Sequence, residues 1–160
     1  MISQKINTLL NQQVAHEFGA AYKYLAMSLW FDDQGLKVFA KRFQQQADEE
    51  REHAMRITKF IQDTGGQVVL EAVAKPDGKY PSARAAVEAA LNSEKTVTKQ
   101  VHDLMDAADA EKDYATRSFL KWFVDEQVEE ESSMNDLLQL LDMAGEKNLF
   151  QVETRLAQSM

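Results

Sequence analysis

Two short breaks and one long one divide this chain into four helical stretches, and that spacing restricts the fold more than any other feature. Apolar residues recur at alternating three- and four-residue steps over about residues 3–33, 36–64, 82–110 and 114–144, the period of an amphipathic helix. Ser3 and Ser82 stand where N-caps belong, and Gly35, Gly65-Gly66 and Gly145 stand where helices stop. A short fifth helix is expected over about 149–157. A few residues around Gly35 join the first two helices, and a few around Asp113 join the last two. Each pair must therefore be an antiparallel hairpin. The connection from Gly65 to Pro81, with its extended-looking Val68-Val69-Leu70, is long enough to cross the whole bundle. The expectation is one all-α domain over 1–160, two hairpins with one long crossover; an up-down bundle with a decorated loop is the alternative.

The four inward seams carry a second pattern. Helix 1 reads Ile6, Leu10, Gln13, Glu17, Ala20, Tyr24, Met27, Phe31, and helix 2 reads Phe39, Phe43, Gln46, Glu50, His53, Ile57, Phe60. Helix 3 reads Val87, Ala90, Glu94, Val97, Val101, Leu104, Ala108, and helix 4 reads Leu120, Phe123, Gln127, Glu130, Met134, Leu137, Leu141. Each seam is apolar except near its middle. At about 1.5 Å per residue, Glu17, Glu50 and His53 lie roughly 22 to 27 Å from the Gly35 turn. Glu94, Gln127 and Glu130 lie at a similar depth from the Asp113 turn. Four glutamates and one histidine thus converge in one layer of an apolar core.

A single seam glutamate is usually a misjudged register or a side chain reaching for water. Four at one level are different, because a buried carboxylate without a partner costs several kcal/mol and like neighbours add to it. No lysine or arginine sits in these seams. Bound cations are the economical answer, and two suit the charge better than one. The chain has no cysteine, which excludes thiolate zinc sites, iron–sulfur clusters and disulfides. Oxygen donors with one imidazole suit iron or manganese. A net charge of −8 without a basic run excludes a phosphate footprint, so no nucleic-acid partner is expected. There is neither an apolar signal core nor a stretch able to span a bilayer, so no membrane partner and a cytoplasmic location are expected.

Glu17, then Glu50-Arg51-Glu52-His53, then Glu94, then Gln127-Val128-Glu129-Glu130 resemble, in order and spacing, the ferroxidase centre of bacterial and archaeal non-haem ferritins. The resemblance extends over the whole chain, including Tyr24, Trp122 and the crossover. It implies a ferritin-like bundle that oxidises Fe(II) with dioxygen or hydrogen peroxide and stores the ferric product in a twenty-four-subunit homo-oligomeric shell. It also implies a di-iron centre: Glu17, Glu50 and His53 on one iron, and Glu50 as bridge with Glu94 and Glu130 on the other. Gln127 would position water or a ligand beside the second iron, and Tyr24 would hydrogen-bond near the pair and supply an electron. A third iron site would use Glu49, Glu126, Glu129 and Glu130.

The departures matter as well. Gln127-x-x-Glu130 replaces the second Glu-x-x-His of symmetric di-iron proteins, so the two irons are unequal and iron is expected to pass through. Arg51 stands where bacterioferritins carry a haem-ligating methionine, so no haem is expected. Arg117 and Leu120 stand at the positions where animal heavy-chain ferritins line a channel with acidic residues, so their iron entry route does not carry over. His16 and His102 fall off the seams and are expected to stay out of the site. A second stripe on helix 1, Phe18, Tyr22, Leu25 and Leu29, predicts a contact between subunits. The competing reading is a non-enzymatic iron-binding shell that only nucleates mineral. A rubrerythrin-like peroxidase would need cysteine, and a DNA-protecting mini-ferritin would place its iron between subunits.

Overall fold

The computed structural model describes residues 1–160 and contains helices and no strand. Four long helices run Gln4–Asp33 (α1), Lys37–Asp63 (α2), Ala83–Ala110 (α3) and Tyr114–Ala144 (α4). A 3-10 turn at Glu146–Asn148 leads into α5, Leu149–Gln158. The capping chemistry is local. Ser3, Ser82 and Asp113 each accept a hydrogen bond from the backbone N–H three residues on, at 3.0 to 3.1 Å. Gly35, Gly65 and Gly145 take positive φ values just after their helices, where a side chain would be strained.

α1 packs along α2, α3 along α4, and α1 meets α3 between the hairpins. The core is not continuous. One buried cluster of 18 residues, including Phe31, Phe39, Phe43 and Leu141, fills the end of the bundle near α5. Another of 12, including Ile6, Leu10, Ile57 and Phe123, fills the opposite end. The polar seam residues occupy the gap between them. In the larger cluster Phe31 stacks on Phe39 with ring centres 4.9 Å apart and tilts against Phe43 at 4.8 Å.

The crossover forms no strand at Val68-Val69-Leu70. Its first residues lie along α1 and are held there by two buried asparagines. Gln67 O accepts from the amides of both Asn7 and Asn11, at 3.2 and 2.9 Å. Gln67 N–H donates to Asn7 Oδ1 at 3.0 Å, and Val69 N–H to Asn11 Oδ1 at 2.7 Å. Side chains of α1 thereby satisfy backbone groups that a strand partner would otherwise take. Close approach demands a glycine at position 66, where a Cβ would collide with Asn7 Oδ1 and come within 2.8 Å of Ile2 and 2.9 Å of Ile61. Gly66→Ala is expected to cost about 1–3 kcal/mol of stability through overpacking. Gly78→Ala, whose Cβ would meet nothing within 4 Å, is the control in the same thermal melts.

α5 closes the other end. Leu36 provides no side-chain cap for α2. Glu153 of α5 does so from a distance, accepting from Val38 N–H at 2.8 Å and Phe39 N–H at 2.9 Å. On the α1 stripe Tyr22 and Leu29 are more than half exposed in the single subunit, whereas Phe18 and Leu25 are partly buried against the core. Leu120 is buried at 1% exposure in the core, as its seam position requires. Arg117 pairs with Asp109 at 3.1 Å.

Candidate metal centre

The bundle brings Glu17, Glu50, His53, Glu94, Gln127 and Glu130 into the gap between the core clusters, each no more than 5% exposed. Two groups of donors form there, each with ligand atoms within 4.8 Å of one another. The first is Glu17, Glu50 and His53, all from the α1–α2 hairpin. The second is Glu50, Glu94 and Glu130, and Glu50 belongs to both. His53 Nδ1 lies 3.3 Å from Glu50 Oε2 and 3.9 Å from Glu17 Oε2. Edges of Trp122 and Phe123 fix the plane of its ring, with ring centres 5.3 and 6.0 Å away. The guanidinium of Arg56 covers the Trp122 ring at 4.0 Å.

Neutral donors hold the carboxylates in place. Gln13 Nε2 donates to Glu17 Oε1 at 2.8 Å, and Gln127 Nε2 to Glu94 Oε2 at 3.2 Å. Gln46 Nε2 donates to Glu130 Oε2 at 2.6 Å, and the Tyr24 hydroxyl donates to Glu94. Gln13 and Gln46 were readable as seam amides, but their partners were not. A glutamine one turn before a seam glutamate was the only signal available.

No cationic side chain enters the layer, and Glu17 Oε2 is buried with no donor facing it. Burial pushes the Glu17 carboxyl well above the usual range, and the neighbouring Glu50 pushes it further. Glu50 rises strongly through burial and then Glu94. Burial raises Glu94, although hydrogen bonds from Tyr24 and Gln127 oppose the shift. Glu130 rises to about 7 through burial and then the charges of Glu94 and Glu49, against the opposing pull of His53 and Gln46. The metal-free layer therefore holds protons more tightly than exposed carboxylates do. A divalent cation would displace them and give Glu17 Oε2 the partner it lacks, so the donor set fits a pair of hard or borderline cations.

A third grouping joins His53 to Glu126 and Glu130, with His53 Nε2 3.9 Å from Glu126 Oε1. Glu49 is exposed but close enough for its charge to act on Glu130. Glu129 is exposed and joins none of these groups. His16 and His102 are exposed and outside the layer.

The sequence matches the family model described as a ferritin-like domain over residues 7–144. It is 38% identical to the bacterial non-heme ferritin of Staphylococcus saprophyticus, covering 98% of this chain and 95% of that relative. It is 39% identical to the bacterial non-heme ferritin of Staphylococcus aureus strain USA300, covering 91% and 88% respectively. Among solved structures, an open-pore ferritin from the hyperthermophilic archaeon Archaeoglobus fulgidus superposes with a TM-score of 0.95 at 41% identity, covering 98% of this chain and 97% of that one. A closed form of the same archaeal ferritin, engineered by site-directed mutagenesis, also gives 0.95 at 41% identity, covering 98% and 96%.

Proposed function

Since the chain belongs to the ferritin family, we propose that it stores iron, and that its central layer is a ferroxidase centre that oxidises Fe(II) before storage. The observation that carries the reading is the sharing of Glu50 between two buried donor groups. Glu17, Glu50 and His53 take one Fe(II); Glu50 as bridge, Glu94 and Glu130 take the second. Binding expels the protons held by the raised carboxyls, so the pair enters with its charge compensated. Two Fe(II) then supply two electrons in one encounter with an oxidant held between them. Dioxygen accepts two electrons and two protons to give hydrogen peroxide; hydrogen peroxide accepts two and two protons to give two waters. Tyr24 donates its hydroxyl hydrogen bond to Glu94, so an electron drawn from Tyr24 can leave as its proton moves to that carboxylate.

Gln127, which bonds Glu94 where a symmetric centre would place a ligating glutamate, makes the second iron the weaker bound. Ferric product therefore moves on instead of remaining as a permanent cofactor. Glu126, Glu130, Glu49 and Glu129 form the third iron site on its way into the shell. Haem is not part of this reading, because Arg51 offers no ligand. The α1 stripe is the subunit contact, and the assembly is a homo-oligomeric shell of twenty-four subunits. No helix is long and apolar enough to cross a membrane, consistent with the proposed cytoplasmic location. A shell that only nucleated mineral would have no use for a buried His53 beside paired carboxylates.

Crystals soaked anaerobically in Fe(II) test the assignment. Two metals about 3–4 Å apart with Glu50 between them are expected. Anomalous density confined to the outer surface would remove the centre from this layer. His53→Ala is expected to empty the first position more than the second, since Glu94 and Glu130 remain.

A further inference from the structure

Gln46 has none of its surface exposed and sits one helical turn before Glu50 on α2. Its Nε2 donates across the bundle to Glu130 Oε2 at 2.6 Å and reaches Glu50 Oε1 at 3.5 Å. One amide nitrogen thus touches two carboxylates from different helices, both in the second donor group. The other end of the same planar amide is in a different state: Oε1 is buried and has no hydrogen-bond partner. Sealing such an oxygen without a donor costs about 1–3 kcal/mol, so an apolar residue of the same size would fill this space more cheaply. Gln13 is not left in that condition, since its Oε1 faces His16 Nδ1 at 3.4 Å.

We infer that Gln46 is a positioning residue for the second metal: its N–H aims Glu130 and Glu50, and its sealed oxygen accepts a hydrogen bond from water carried on that metal. The inference rests on the di-iron reading above. An amide suits both tasks because it is neutral. Lysine or arginine at this position would pair with the carboxylates and repel the incoming cation. By occupying one oxygen of Glu130, the N–H leaves the other for the metal. Water on a divalent cation is polarised and donates strongly, which gives Oε1 the partner missing from the metal-free layer. The second position is therefore completed from outside its ligand set by a residue of α2, whose own carboxylate forms the bridge.

Anaerobic titration of the metal-free shell with Co(II), read by calorimetry and visible absorption, tests this. Gln46→Met keeps the length and volume of the side chain while removing donor and acceptor. The parent is expected to take two Co(II) per subunit in the buried layer, ahead of weaker binding at the third site. In the variant the first should bind within about twofold of the parent, while the second weakens about tenfold or more and its absorption changes. Equal weakening of both, or an unchanged second affinity, would overturn the inference by leaving Gln46 a packing role. If Gln46→Met does not assemble, Gln46→Leu carries the same measurement. A parent that binds fewer than two Co(II) would defeat the di-iron reading itself, and the inference with it.

Discussion

Glu94→Gln is expected to lower the initial rate of paired Fe(II) oxidation about a hundredfold or more while the shell still assembles. The substitution keeps the shape of the side chain and removes a charge that the proposed second iron needs. Glu94 sits at 1% exposure between Tyr24 and Gln127. The variant amide can still accept from the Tyr24 hydroxyl, but its NH2 end then faces the Gln127 amide nitrogen, so Gln127 must turn its oxygen inward to keep the second hydrogen bond. Burial already favours the neutral form of Glu94, and the amide imitates that form permanently. The metal-free variant should melt at the parent's temperature or above, because a site kept for chemistry holds like charges together at a cost in stability. It should also gain less from added metal. Absorbance-monitored oxidation, with thermal melts of metal-free and loaded protein, makes the comparison. A clearly lower metal-free melting temperature would make Glu94 a structural partner, and an unchanged rate would take it out of the centre.

Stability of the metal-free protein is expected to fall between about pH 4.5 and pH 7 through this same layer. Glu17, Glu50, Glu94 and Glu130 are all raised in the folded state, Glu130 from the ordinary 4.5 to about 7. A carboxyl raised by folding binds its proton more tightly in the native chain. Its contribution is complete below the unfolded value and is lost as pH climbs through the folded one. For Glu130 alone the loss is on the order of 3 kcal/mol. Glu130→Gln removes that contribution, so its advantage over the parent in metal-free melts should grow from pH 5 to pH 7.5. Metal affinity should move the opposite way and tighten with pH, because binding displaces protons. A constant difference between the two proteins across this range would mean that Glu130 does not titrate there.

The bundle and its polar layer were legible because both follow from periodicity. Glu17, Glu50, His53, Glu94, Gln127 and Glu130 each fall on a 3.6-residue seam, and the turns at Gly35 and Asp113 set their depth. Ser3, Ser82 and Asp113 were legible for a similar reason, since each acts on a residue three positions away. Contacts that skip along the chain were not. Nothing near Glu153 announces that it caps α2, whose own Leu36 cannot. Asn7 and Asn11 looked like ordinary polar positions on α1 until the crossover came to lie on them. Val68-Val69-Leu70 reads as extended because β-branched residues favour that backbone, and it stands without helix or strand in the crossover.

The hydrogen bonds from Asn7 and Asn11 to Gln67 and Val69 also shape the order in which the chain assembles. A free link between hairpins must search for its closure, and the entropic cost rises with the logarithm of the free length. Here the first part of the link has its partners on α1, four residues beyond the end of α2, so closing the α1–α2 hairpin brings the two together. The second hairpin is then delivered on a shortened tether, which raises its effective concentration over its docking face. Glu17, Glu50 and His53 are already together on the first hairpin, whereas Glu94, Gln127 and Glu130 arrive with the second. Glu50 meets Glu94 and Glu130 only then, so their repulsion burdens the docking step, whereas the repulsion between Glu17 and Glu50 falls within the first hairpin.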